Sequence, residues 1–122
     1  MREICCFIID DDPRAADMME SLLKQSAGFT VAGSETVPEK AVSIILSRRP
    51  EVLFIDVEMP GMTGLELLDE VKSRFPQINV SMISAYGDSE NYNRAKESGA
   101  KEFFTKPIDF NSLKKEILEL KG

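Results

Sequence analysis

Hydrophobic and polar residues occur in alternating blocks along this chain. Short apolar runs, such as residues 4–9 and 52–55, are separated by longer segments in which apolar residues recur every three or four positions. Continuous apolar runs of this length predict strands covered on both faces, and the three-to-four spacing predicts helices packed on one side. The pattern therefore predicts strands and helices in strict alternation.

The pattern predicts five strands and five helices joined by short connections. The strands are predicted at residues 4–9, 29–34, 52–55, 78–83 and 101–105. Right-handed crossovers then give a doubly wound, five-stranded parallel sheet of flavodoxin-like type, with strand order 2-1-3-4-5.

Helix boundaries are marked by capping residues and glycines. Asp12 followed by Pro13 starts the first helix, and Gly28 is expected to close it. Thr63 and Glu66 have capping-box spacing at the third helix. The remaining helices are expected over residues 38–49, over residues 89–98 and after the cap Asp109.

The helix predicted over residues 89–98 has few apolar side chains. Only Tyr92 and Ala95 are available for its buried stripe. A helix that buries so little apolar surface is expected to be weakly held.

Composition narrows the class of protein. The 122 residues, 43% hydrophobic and 30% charged, suit one folded domain over 1–122. No apolar stretch approaches the roughly 20 residues of a membrane span, and no secretory pattern is present, which predicts a cytoplasmic protein without membrane contact. A net charge of −6 argues against direct nucleic-acid binding by this domain. The absence of histidine excludes a catalytic triad with a histidine base.

Polar residues follow the predicted strands where the strands end. They are Asp10 and Asp11 after the first strand, Asp56 after the third, Ser84 after the fourth and Lys106 after the fifth. Carboxyl ends of parallel strands share one edge, so these groups are expected to meet there. Three clustered carboxylates repel one another and require a cation, for which oxygen ligands favour Mg²⁺. Lys106 and Ser84 suit phosphoryl oxygens.

Each of these residues has an ordinary structural explanation when taken alone. Asp10 and Asp11 could form an acidic turn, Ser84 a strand-end hydroxyl and Lys106 a solvated lysine. Their joint occurrence at the ends of four strands favours a site. No glycine-rich nucleotide loop is present, so the phosphoryl group need not come from ATP.

Four segments carry a resemblance to a known family. FIIDDDPRAADMMESLL, VLFIDVEMPGMTGLELL, SMISAYGD and GAKEFFTKPID, in this order and spacing, resemble the receiver domain of bacterial two-component response regulators, of the chemotaxis-regulator type. The resemblance implies that Asp56 is the phosphoacceptor. It also implies that Asp10 and Asp11 hold Mg²⁺ together with Asp56 and the backbone carbonyl of Glu58.

The resemblance also implies a switch. Ser84 matches the switch hydroxyl, Phe103 the switch aromatic, and Lys106 the phosphate-binding lysine, whose bond to the following proline is often cis in the family. Phe103 lacks the hydroxyl that many members carry as tyrosine. Glu58 and Tyr86 occupy the two positions at which the family tunes the lifetime of the phosphoryl group.

Partners and alternatives follow from the same resemblance. It implies a sensor histidine kinase or phosphotransfer protein as donor, and an output domain or target at the fourth helix, fifth strand and last helix. A homodimer on phosphorylation is left open.

This interpretation makes the chain a phosphorelay signalling domain and not an enzyme beyond its own phosphoryl transfer and autodephosphorylation. The alternative is an aspartate-nucleophile phosphohydrolase of haloacid-dehalogenase type. Glu58 stands where that family has aspartate, which disfavours the alternative. A flavodoxin-like electron carrier is disfavoured because no phosphate-cradling loop follows the first strand.

Overall fold

The computed structural model describes residues 3–121, with side chains as far as residue 119. The strands are β1 (Ile4–Ile9), β2 (Phe29–Glu35), β3 (Val52–Asp56), β4 (Asn79–Ser84) and β5 (Glu102–Thr105). The helices are α1 (Pro13–Lys24), α2 (Ala41–Arg48), α3 (Gly64–Arg74), α4 (Ser89–Glu97) and α5 (Phe110–Lys121). No helix in this part of the chain has the length and apolar character needed to cross a membrane.

The strands form one parallel sheet in the order β2-β1-β3-β4-β5, which confirms the predicted fold. The register aligns the strand ends, since Ile9 lies opposite Ile55, Asp56 opposite Ile83, and Ser84 opposite Thr105. Residues that follow these strands therefore emerge along one edge, and the order of connections reverses between β1 and β3.

The sheet separates two apolar layers. Phe7 and Ile9 of β1 face the layer under α2 and α3, whereas Cys6 and Ile8 face the layer under α1 and α5. Every residue of β3 is buried. This double burial explains why the central strand has no polar alternation, because neither of its faces meets water.

The predicted helix caps are present. Asp12 accepts a hydrogen bond from the Arg14 N–H, and Pro13 occupies the first turn of α1. Thr63 and Glu66 form the reciprocal capping box of α3. These contacts satisfy N–H groups that a helix start leaves unpaired, and they fix where each helix leaves the functional edge.

Some predicted boundaries were wrong by a few residues. The segment 38–49 splits into a 3₁₀ turn, Pro38–Lys40, followed by the shorter α2, which ends where Arg49 adopts a left-handed conformation with φ 49°. Helix α1 ends at Lys24, before Gly28, because the N–H of Gln25 already closes its last turn. Cys5 and Cys6 are both free thiols.

The prediction that Tyr92 is buried in α4 was wrong. Ala95 is fully buried, but Tyr92 is 46% exposed and lies edge-on to the Phe103 ring. The small Ala95 side chain lets α4 approach the sheet closely, so the larger ring one turn earlier is left at the border of the core. Helix α4 therefore buries even less than its sequence predicted.

Candidate functional site

Three carboxylates meet at the edge where β1 and β3 end. Oxygen atoms of Asp10, Asp11 and Asp56 lie within 4.8 Å of one another. Asp10 and Asp56 are buried, and Asp11 is half-buried. Strand pairing places these groups together, since β1 and β3 are neighbours in which Ile9 pairs with Ile55, the residue before Asp56. Clustered carboxylate oxygens with little access to water form a donor set suited to a hard divalent cation such as Mg²⁺.

Lys106 supplies positive charge to the same cluster. Its Nζ lies 3.7 Å from Asp56 Oδ2 and 3.8 Å from Asp10 Oδ2. The backbone N–H of Lys106 donates to the Ser84 carbonyl at 2.8 Å, so the end of β5 is tied to the end of β4. The Lys106–Pro107 peptide bond is cis, in agreement with the family expectation. One ammonium group faces three carboxylates, which leaves the cluster with an excess of negative charge.

The environment of Asp56 opposes its ionisation. Desolvation by burial, and next the negative charge of Asp10, raise the pKa of Asp56 from 3.8 to about 7. Lys106 and the backbone N–H of Glu58 act in the opposite direction. A further positive charge beside Asp56 would lower this pKa and favour its ionised form.

Gly64 allows α3 to begin against the end of β3. A Cβ atom at this position would lie 2.0 Å from the Asp56 carbonyl oxygen and 2.7 Å from the Val57 Cα. The Gly64 N–H donates to the Val57 carbonyl at 3.0 Å. The absence of a side chain at Gly64 therefore lets the backbone pass directly beside Asp56.

The Glu58 side chain contacts Ser84 at the end of β4. The Ser84 hydroxyl lies 2.5 Å from Glu58 Oε2, and the Ala85 N–H donates to Glu58 Oε1 at 2.7 Å. Ser84 Oγ also accepts a hydrogen bond from the Tyr86 N–H at 3.0 Å. The family resemblance gave Glu58 two expected roles, a backbone ligand of Mg²⁺ and a position that tunes the lifetime of the phosphoryl group. No sequence pattern indicated that its carboxylate would reach the end of β4.

Phe103 lies on β5, opposite Met82 in the register of the sheet. Its ring is half-buried and packs edge-on against Tyr92, with ring centroids 5.7 Å apart and planes inclined by 67°. The ammonium group of Lys96 lies 5.6 Å from the centre of the Tyr92 ring. Of the predicted site residues, Asp10, Asp11, Asp56 and Lys106 form one cluster, Ser84 joins it through the strand ends, and Phe103 lies on the adjoining surface.

The fold and the edge together define a class of protein. The domain is a doubly wound parallel sheet that carries a buried aspartate, an acidic pair and a lysine at its switch point. The chain belongs to the response regulator receiver domain family, whose sequence profile matches residues 6–118. Receiver domains are signalling domains of two-component systems, and the resemblance found in the sequence is confirmed.

Individual relatives agree with this assignment. The chain is 26% identical over 114 residues to the transcriptional regulatory protein CitT of Bacillus subtilis, covering 93% of this chain and 50% of the relative. It is 36% identical over 110 residues to a cyclic di-GMP phosphodiesterase of Thermotoga maritima, covering 90% of this chain and 29% of the relative. The chain thus spans half or less of the length of these relatives.

A solved structure shows the same fold. The CheX-CheY-BeF3-Mg+2 complex from Borrelia burgdorferi superposes with a TM-score of 0.90 at 23% identity, covering 99% of this chain and 91% of that chain. At this level of identity the likeness establishes the architecture alone.

The raised pKa of Asp56 predicts a specific dependence of stability on pH. Between pH 3.8 and about 7 the folded protein holds a proton on Asp56 that the unfolded chain has released. Without divalent cations, this residue should make the free energy of unfolding fall as pH rises through that window. Urea unfolding of the unmodified protein and of Asp56→Asn in EDTA measures the effect.

In Asp56→Asn, the free energy of unfolding should fall less as pH rises from 3.8 to about 7. Asp69→Asn removes one acidic group from the exposed side of α3 and should keep it. Equal slopes in the unmodified protein and Asp56→Asn would show that Asp56 ionises in the usual acidic range.

Proposed function

We propose that this domain is a phosphoryl-accepting switch in which Asp56 receives a phosphoryl group from a phosphohistidine of a sensor histidine kinase or phosphotransfer protein. The observation that carries the proposal is the arrangement around Asp56, in which two further carboxylates and Lys106 surround one buried carboxyl group at the sheet edge. Membership of the receiver domain family supports the same function.

Asp10, Asp11 and Asp56 would hold Mg²⁺, with the backbone carbonyl of Glu58 as a further ligand. The fit rests on the donor set, because three carboxylate oxygens lie within 4.8 Å of one another. The Borrelia burgdorferi protein of the same fold forms its complex with BeF3 and Mg²⁺, which supports the same chemistry for this chain. The bound cation would neutralise negative charge on the carboxylates and on the incoming phosphoryl oxygens.

The residues of this chain divide the chemistry of transfer between them. An ionised Asp56 oxygen attacks phosphorus, a P–O bond forms, and the P–N bond to the donor imidazole breaks, which leaves the electron pair on the imidazole nitrogen. Lys106 Nζ lies 3.7 Å from Asp56 Oδ2 and is placed to pair with a phosphoryl oxygen. Asp10 and Asp11 bind the cation, and burial limits the access of water to the acyl phosphate.

The phosphoryl group would then change the face beside the site. Ser84 would turn its hydroxyl toward the new anion, and Phe103 would move into the space that opens. Phe103 contacts Tyr92 of α4, and α4 is held to the core mainly by Ala95. A small change at Ser84 can therefore repack α4, and we assign the surface of α4, β5 and α5 to an output domain or target protein.

Asp56 should take up a phosphoryl group from acetyl phosphate only when Mg²⁺ is present. Intact-mass measurement should show a single phosphoryl adduct in the unmodified protein and none in Asp56→Asn, because the amide is not a nucleophile of this kind. Omitting Mg²⁺ is the control for the cation.

An undiminished adduct in Asp56→Asn would place the acceptor elsewhere. The protein should also fail to turn over a generic phosphomonoester. Sustained turnover that depends on Asp56 would favour the phosphohydrolase alternative instead.

Asp11 and Asp12 should differ sharply in their effect on metal binding. Asp11→Ala removes a carboxylate of the cluster and should lower Mg²⁺ affinity at least about tenfold. Asp12→Ala is the matched control, because Asp12 caps α1 and its loss should cost about 1 kcal/mol of stability. NMR titration with Mg²⁺ distinguishes the two, and similar weakening of binding in both variants would contradict this division of roles.

Beryllofluoride with Mg²⁺ should alter amide exchange along residues 86–104 of the unmodified protein. In Ser84→Ala the ligand should still bind, but the change in exchange over α4 and β5 should be reduced, because the hydroxyl that links Asp56 to this face is gone. Ser73→Ala, on the exposed side of α3, is the control and should respond like the unmodified protein. Unchanged exchange across residues 86–104 in the unmodified protein would place the switch on another surface.

A further inference from the structure

The Glu58 carboxylate bridges the loops that follow β3 and β4. Its Oε2 lies 2.5 Å from Ser84 Oγ, and its Oε1 accepts from the Ala85 N–H at 2.7 Å. The two oxygens of one anion thus engage two neighbouring donors that lie 26 and 27 positions further along the chain. Hydrogen bonds to an ionised acceptor are roughly twice as strong as neutral ones, so this bridge holds the start of the β4–α4 loop.

The same two donors adjoin Asp56. Strand pairing places Asp56 opposite Ile83, the residue that precedes Ser84. The Val57 N–H donates to the Ile83 carbonyl at 2.8 Å, which fixes the two strand ends side by side. Oxygen atoms of a phosphoryl group on Asp56 would therefore lie beside the end of β4, where the Ser84 hydroxyl and the Ala85 N–H are donors.

We propose that the Glu58 carboxylate is an internal competitor of the phosphoryl group, occupying in the resting protein the donors that the group on Asp56 must capture. This inference rests on the proposed role of Asp56 as phosphoacceptor. It makes Glu58 a positioning residue, because its side chain acts through Ser84 and Ala85 and takes no part in bond formation.

Hydrogen-bond capacity makes the two acceptors mutually exclusive at Ser84. A serine hydroxyl has one proton to donate, and in the resting protein its acceptors are Glu58 Oε2 and, at 2.8 Å, the Tyr86 carbonyl oxygen. The charged carboxylate is the stronger acceptor of the two. A phosphoryl oxygen gains the hydroxyl only when Glu58 releases it.

The released carboxylate also becomes a second anion beside the phosphoryl group. Like charges disfavour each other when they are only partly solvated, so Glu58 must turn away as the donors change partner. Capture of Ser84 and Ala85 is thereby coupled to movement of the loop after β3 as well as the loop after β4. The phosphoryl group therefore captures these donors less readily than it would without Glu58, because displacing Glu58 consumes part of the free energy of the new hydrogen bonds.

Variants of Glu58 can separate hydrogen bonding from charge. Glu58→Asp keeps the charge but shortens the side chain by one methylene, which takes the carboxylate out of reach of the two donors. Glu58→Gln keeps the length and removes the charge. Asp69→Asn on the exposed side of α3 is the control for loss of one acidic group, and all variants retain the backbone carbonyl of residue 58.

The test is a titration with beryllofluoride at saturating Mg²⁺, followed by NMR, together with the Ala85 amide signal in the metal-free protein. Glu58→Asp should bind beryllofluoride about tenfold more tightly than the unmodified protein. Asp69→Asn should bind it with the same affinity as the unmodified protein. The Ala85 amide should shift upfield and exchange faster in metal-free Glu58→Asp, because it has lost its acceptor.

Three results would overturn the inference. Unchanged affinity in Glu58→Asp with tighter binding in Glu58→Gln would show that only charge matters. An unaltered Ala85 amide in Glu58→Asp would show that the bridge is absent in solution. If neither the unmodified protein nor any Glu58 variant bound beryllofluoride, both the proposed phosphoacceptor role of Asp56 and the proposed competition by Glu58 would be contradicted. Binding by Glu58→Asp alone would instead support both, with the resting bridge strong enough to suppress binding.

Discussion

The repulsion among the buried carboxylates at the end of β1 and β3 is the constraint on which the rest of this structure depends. Asp10 and Asp56 are removed from water and lie beside Asp11, and burial together with the negative charge of Asp10 raises the pKa of Asp56 to about 7. Lys106 offsets only part of this repulsion. Additional positive charge beside the cluster would favour the ionised form of Asp56.

The parallel sheet determines which segments of the chain lie near these carboxylates. The strands β1, β3, β4 and β5 end at one edge of the sheet. Four segments that are distant in sequence therefore lie close to the carboxylates of Asp10, Asp11 and Asp56. A close backbone approach occurs at Gly64, where even a methyl group would overlap the chain beside Asp56. The core holds this edge rigid, whereas α4 is fixed to it mainly by the small Ala95 side chain.

Rigid and loosely held parts meet at Ser84. Its backbone is fixed in β4 and tied to Lys106, while its hydroxyl is shared between Glu58 and the loop that leads to α4. The hydroxyl has one proton, so it can donate to only one of these acceptors at a time. On the neighbouring strand, the Phe103 ring makes an edge contact with the half-exposed Tyr92 of α4.

The sequence by itself determined the order of the elements, the sheet topology, the caps at Asp12 and Thr63, and the convergence of the strand-end residues. The elements and their caps follow from patterns among residues that are close together in the chain. The topology and the convergence then follow from the general geometry of parallel sheets. Only the tertiary structure decided that Tyr92 stays exposed and that the Glu58 carboxylate reaches Ser84. Both depend on how closely elements distant in sequence approach, a quantity set by side-chain volumes across the whole core and by no local pattern.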